Sequence, residues 1–299
     1  MENCHLKYEY PSNQEQFQSI LRTIGGFATI ASLTINLLTI AFVLRHHTMR
    51  QKNICSLNLF LLNTGECLFT LIALVYTKHK DTLIPGRGRF RFFFLLGQVM
   101  TIGLIIAQRI HIAAGNMSSV SHITRNPTTR KHRNIFLTLI ITVLAVNIVL
   151  TLVLAHKFLT VAAIFVAINL SLYIVLLFKL KLLQHTVGSA VGNICKRAIL
   201  YVTLLLLGFI MEIAIALPTN AMLLNRTSIE CPPRLSPATT ILMCIYSLRF
   251  IWDPAVFFLF NGEPRTVLKQ KCKQIIDKIQ CCRHKAQCTD QAAVIPFPR

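Results

Sequence analysis

The chain has 299 residues, of which 54% are hydrophobic and 14% charged, with a mean hydropathy of +0.56. A soluble domain carries roughly a quarter of its residues as charges, so this composition excludes an ordinary soluble protein and selects the membrane class. Lys and Arg number 31 against 11 Asp and Glu, an excess that fixes topology and meets anionic lipid heads, so nucleic acid is not an expected partner.

The first 19 residues carry Glu2, Glu9 and Glu15 and no basic-then-apolar leader, so export is expected to depend on the first span. An apolar helix needs about 20 residues to cross a bilayer core of about 30 Å. Seven runs meet that length, at 23–44, 54–76, 90–113, 134–155, 158–178, 198–222 and 238–260. Spans four and five are parted only by His156 and Lys157. The predicted fold is an all-α bundle of seven transmembrane helices (23–260), preceded by an outer tail (1–22). After it come a short amphipathic eighth helix (261–283) and a cytoplasmic tail (284–299).

With the N-terminus outside, Lys and Arg of the connecting segments fall about two to one on the inner side, as orientation by basic residues requires. Cys4 and Cys231 are then the two cysteines on the outer side, where disulfides form. A bridge between them would pin the tail to the loop before span seven; two separate thiols are the other reading. Asn225-Arg226-Thr227 is an outer glycosylation sequon. Beyond Asn261, Leu268, Cys272, Ile275, Ile276 and Ile279 recur at steps of three and four, with Lys269, Lys271, Lys273 and Lys278 opposite. That pattern is a helix lying on the inner leaflet, and Cys281 and Cys282 at its end are palmitoylation candidates.

Four ionisable residues lie deep in spans: Glu66, Glu212, Arg249 and Asp253. Each costs about 2.5–3.5 kcal/mol on insertion scales, so each is expected to face the bundle interior and find a partner. Arg249 and Asp253 share one helix face, as do Asn63 and Glu66. Pro254 removes a backbone hydrogen bond inside span seven. A static ion cluster that only holds the bundle together is the plainer reading of these charges.

The stretch "NICSLNLFLLN" (53–63) resembles the second helix of rhodopsin-like (class A) G-protein-coupled receptors, Asn58 and Leu59 falling on that family's Asn-Leu and Asn63 on its Asp. Asn36 matches the asparagine of the first helix. "AQRIHIA" (107–113) is similar to the D-R-Y motif with Arg109 kept and Gln108 and Ile110 replacing its neighbours. "DPAVFFLFNGEPR" (253–265) is similar to N-P-x-x-Y and the turn that follows, with Asp253 for Asn and Phe257 for Tyr. The tryptophan of helix four, the proline of helix five and the C-W-x-P of helix six have no counterpart, which marks a divergent member.

The resemblance implies a receptor in the plasma membrane that passes an extracellular ligand's signal to a heterotrimeric G protein. It implies that Asn63 and Asp253 meet as a reciprocal exchange of the family's acid and amide. Asn36, Glu66, Glu212, Arg249 and Pro254 would complete an intramembrane polar switch. Arg109 would hold the resting packing against helix six and then face the G protein, its lock weakened by the loss of the acidic neighbour. Arg87, Arg89 and Arg91, at the outer mouth of helix three, break the inner-side bias and suit an anionic ligand or acidic peptide; snorkelling to lipid heads is the alternative. No Gly-rich phosphate loop, zinc-protease motif or nucleophile elbow is present, so neither enzyme chemistry nor a cofactor or metal is expected. A small-solute or ion transporter using the buried charges, and a receptor-like protein that binds without coupling, remain the rival functions.

Overall fold

The computed structural model describes residues 12–80, 87–118, 128–154, 157–187, 189–224 and 237–261, and part of 264–276. Among the described residues the chain is helical throughout, without strands: α1 (Ser12–Arg45), α2 (His47–Lys52), α3 (Ile54–Lys80), α4 (Arg87–Ser118), α5 (Thr128–Leu154), α6 (Phe158–Val187), α7 (Ser189–Leu224) and α8 (Pro237–Phe260).

Six of these helices are long and apolar enough to cross a membrane: Thr23–Arg45, Ile54–Ala73, Arg89–His111, Asn134–Leu154, Thr160–His185 and Cys195–Ile215. The first six expected spans therefore lie on helices, with small differences at their ends. The fifth runs further than its apolar stretch suggests, because α6 continues through Lys179 and Lys181, both exposed at the helix end. Long lysine stems can lie along apolar surface there while the ammonium reaches water or headgroups. The expected seventh run, 238–260, coincides with α8, which is 24 residues long and not among the six. Of the expected amphipathic segment, residues 264–267, 269, 270, 272–274 and 276 are helical, with Cys272 and Ile276 exposed.

Large apolar side chains cover the outside of the bundle, among them Phe27 and Leu38 on α1, Ile141 and Leu152 on α5, Ile164 and Phe178 on α6, and Leu207 and Met211 on α7. So much exposed apolar surface suits lipid and not water. The chain is a membrane protein on these grounds.

α4 is the axis of the bundle, packing on α3, α5, α6 and α7. α8 closes the other side by packing between α1 and α7. The main core gathers Leu59, Phe60, Leu95, Ile102, Ile106, Val202, Leu205 and Phe257. Phe60 and Phe257 meet edge to face at 5.2 Å, the offset geometry favoured by ring quadrupoles.

Glycines decide how close the helices come. A Cβ at Gly97 would stand 2.9 Å from Asn147 Nδ2, one at Gly103 2.6 Å from Asn169 Oδ1, and one at Gly208 2.7 Å from Trp252 Cδ1. In each notch the incoming N–H donates to the carbonyl four residues before the glycine. Asn147 bonds Phe93 O at 2.9 Å, Asn169 bonds Val99 O at 2.8 Å and Trp252 bonds Leu204 O at 2.9 Å. A missing side chain thus exposes a carbonyl's second lone pair, and a neighbouring helix uses it as an anchor.

Candidate functional site

The deep polar residues form a closed ring of seven side chains from four helices. Asn63 Nδ2 on α3 donates to Asp253 Oδ2 on α8 at 2.9 Å. One turn along α8, Arg249 Nη1 lies 2.7 Å from Asp253 Oδ1, an ion pair without the alignment of a hydrogen bond. Arg249 Nε donates to Gly208 O at 2.9 Å and stands 3.4 Å from Glu212 Oε2, both on α7. Glu212 Oε1 meets the Tyr246 hydroxyl at 3.2 Å, and that hydroxyl is hydrogen-bonded to Glu66 Oε1 on α3. Gln98 Nε2 on α4 donates to Glu66 Oε2 at 2.8 Å and to Asn63 Oδ1 at 3.1 Å, which returns the ring to its start. All seven side chains are buried.

Helix periodicity makes this possible. Asn63 and Glu66 are three apart on α3; Tyr246, Arg249 and Asp253 fall at i, i+3 and i+7 on α8. Each helix therefore turns its polar residues to one face, and the ring forms where those faces meet. Truncating one partner of such a buried ion pair strands the other as an uncompensated charge.

Asn36 and Pro254 sit at the ring's edge as a linked pair. Pro254 has no N–H, so the carbonyl of Phe250, four residues earlier, loses its helical donor. Asn36 Nδ2 on α1 supplies it at 2.9 Å, while also bonding Ser32 O at 2.8 Å. The helix continues through Pro254 with the vacated acceptor satisfied from the neighbouring helix.

Arg109, near the far end of α4, places its guanidinium carbon 5.3 Å from the centre of the Tyr201 ring on α7. The Tyr201 hydroxyl bonds Ser56 Oγ on α3 at 3.0 Å, so Arg109 rests on a ring tied to a third helix. Arg109 Nε has no hydrogen-bond partner among the described residues. Arg91, expected at the outer mouth, is not a surface side chain: it is half-buried, its guanidinium carbon 4.4 Å from the centre of the Tyr246 ring. It lies directly against the polar ring. Arg89 is exposed, and the side chain of Arg87 lies outside the described residues, as do Cys4, Asn225, Cys231, Cys281 and Cys282.

Asn63, Glu66, Glu212, Arg249 and Asp253 are therefore brought together, with Asn36 and Pro254 beside them and Arg109 apart on another contact. Sequence reasoning missed Gln98 and Tyr246, which close the ring, because each is a single uncharged residue in an apolar run. The available signal was Tyr246 one turn before Arg249 on the same face. Neither a protein-family model nor a curated protein matches the chain.

Proposed function

We propose that the chain is a divergent rhodopsin-like G-protein-coupled receptor, with α8 as its seventh crossing, its N-terminus outside the plasma membrane and its amphipathic segment on the inner leaflet. An extracellular ligand with an anionic or acidic-peptide character acts near Arg91, and a heterotrimeric G protein engages the end of the bundle that carries Arg109. Glycosylation at Asn225 and palmitoylation at Cys281 and Cys282 belong to the same reading.

The observation that carries it is the ring through Asn63 and Asp253. It joins α3, α4, α7 and α8 through directional contacts, so a change of packing at one helix alters the partners of the other three. In this reading an outer ligand acts on the ring through Arg91, which stands over Tyr246, while Arg109 over Tyr201 joins α4 to α7 at the other end. Activation is then a population shift between two packings, driven by the ligand's differential affinity for them.

G-protein recruitment in cells, measured first without ligand, tests the reading. Surface-expressed protein is expected to recruit above a mock-transfected baseline, and Arg109→Ala to change that recruitment severalfold at equal surface level. Recruitment at baseline together with ion or solute flux across vesicles would instead establish the transporter. Binding at Arg91 without recruitment would establish the non-coupling protein.

A further inference from the structure

At the Tyr246 hydroxyl, one hydrogen faces two carboxyl oxygens, Glu66 Oε1 and Glu212 Oε1. An ionised carboxylate offers no donor. If both were ionised, that single hydrogen would have to serve two buried carboxylates.

Charge counting reaches the same number independently. Glu66, Glu212 and Asp253 would bring three negative charges. Arg249, paired with Asp253 and Glu212, and Arg91 above the Tyr246 ring bring two positive ones. One negative charge is left over at a depth where an unpaired ion is costly.

Among the described residues, the other faces supply no compensating charge. α3 adds the buried thiol of Cys67 beside Glu66, α4 the neutral Gln98, and α1 the neutral Asn36 at the edge. α5 and α6 turn the amides of Asn147 and Asn169 toward the backbone of α4.

We propose that Glu66 and Glu212 together hold one proton, shared through the Tyr246 hydroxyl, and that opening the ring releases it. The protonated carboxyl donates to the Tyr246 oxygen while Tyr246 donates to the other carboxylate. Moving the extra proton from one glutamate to the other passes one hydrogen to the tyrosine oxygen as another leaves it, so no net charge moves out of the relay. Separation of α3 from α7 and α8 hydrates the carboxyl, which then ionises. The closed ring is thus favoured at low pH and is lost as pH rises through the titration of the shared proton. Linkage to one proton changes the opening constant by up to about tenfold per pH unit. This holds for the packing equilibrium itself, whether or not the open packing couples to a G protein.

Infrared spectroscopy of the purified full-length chain in lipid nanodiscs tests it without ligand or G protein. The expected result is a protonated-carboxyl carbonyl band at neutral pH that shifts when the protein carries carbon-13 glutamate and stays put with carbon-13 aspartate. Glu66→Gln and Glu212→Gln should each abolish it, since either amide donates to Tyr246 and removes the surplus charge. The labelling arm uses the unmutated chain, so it decides the matter even if neither variant folds. Absence of the band, its assignment to aspartate, or its survival in a folded Gln variant overturns the proposal.

Discussion

α4 and α5 are neighbours, both apolar and both long enough to span a bilayer, yet they treat their polar residues in opposite ways. In the most apolar stretch of α4, 67% of residues are buried inside the protein; in that of α5, 17% are. On α5 the hydroxyls of Thr138 and Thr142 fold back to the carbonyls of Asn134 and Thr138, each at 3.0 Å, and stay exposed. Gln98 on α4 reaches two residues of α3, and Arg91 reaches α8. A polar group that satisfies itself within its own helix costs little in lipid and carries no message; one that must be satisfied by another helix makes the position of that helix matter. On the face formed by α3, α4, α7 and α8 the polar side chains are satisfied between helices, whereas α5 and α6 are more lipid-facing and, among the described residues, are tied to it by Asn147, by Asn169 and by the Tyr173 hydroxyl, which bonds Thr203 Oγ1 on α7 at 2.7 Å.

The sharpest way to break this contrast is Arg249→Ala. It strands Asp253 and Glu212 without their cation, and breaking a buried pair of this kind costs about 3–5 kcal/mol. Thermal unfolding of detergent-purified protein, or surface expression where the variant does not survive purification, should show a large loss. Adding Asp253→Asn should recover part of it, because one stranded charge is removed. An Arg249→Ala protein as stable as its parent would mean the ring is not closed in the folded state.

Two glycine substitutions test the notches. The Cβ of Gly208→Ala would stand 2.7 Å from Trp252 Cδ1, 2.9 Å from its Nε1 and 3.3 Å from Arg249 Nε, so the Trp252 ring must shift and Arg249 must give by a few tenths of an ångström. Overpacking of this sort costs about 1–3 kcal/mol. Gly26→Ala on α1 meets nothing within 4 Å, and should gain roughly 0.5–1 kcal/mol from helix propensity. Opposite signs in the two unfolding midpoints are the expected outcome.

The Asn36 and Pro254 pair gives a smaller but more specific effect. Asn36→Ala removes the donor from a buried carbonyl, at about 1–2 kcal/mol. In a Pro254→Ala background the restored backbone N–H can take that carbonyl, so the same Asn36→Ala change should cost measurably less. A double-mutant cycle on unfolding midpoints reads the coupling directly. Strict additivity would show that Asn36 serves α8 in some other way.

Much of this was legible in the sequence. Six spans follow from apolar runs whose ends are set by charges. Asn63 and Asp253 were expected to meet only by way of a resemblance, and their side chains do stand 2.9 Å apart. The pairing of Arg249 with Asp253 needs nothing beyond helix spacing. What stayed hidden depends on rotation and depth, which periodicity along one helix does not fix between helices. Gln98 has the composition of any isolated polar residue in a span until α4 turns it to α3. Arg91 reads as an outer-surface arginine by its position in the chain, but the face of α4 that carries it turns toward Tyr246. The notch at Gly208 exists only because Trp252 arrives from another helix. The number of crossings is the remaining case: α8 carries Arg249, Asp253 and Pro254 inside its 24 residues, so its sequence pulls between a crossing and a buried polar element.

The smallest expected effect compares two neighbouring polar residues of α5. Thr142 is exposed, and its hydroxyl bonds only the carbonyl of Thr138 among the described residues. Thr142→Leu removes a local bond and adds apolar surface toward lipid, so the change in stability should lie within about 0.5 kcal/mol. Asn147, on the buried face, is the anchor of α5 to Phe93 O in the notch at Gly97. Asn147→Leu loses that bond and brings a branched side chain against Leu62 and Gly97, and should cost about 1–3 kcal/mol. The two substitutions are alike in chemistry and differ in the face they occupy. Equal midpoints would mean that α5 is not held by its asparagine, and that the lipid-facing helices and the ring are less distinct than their packing indicates.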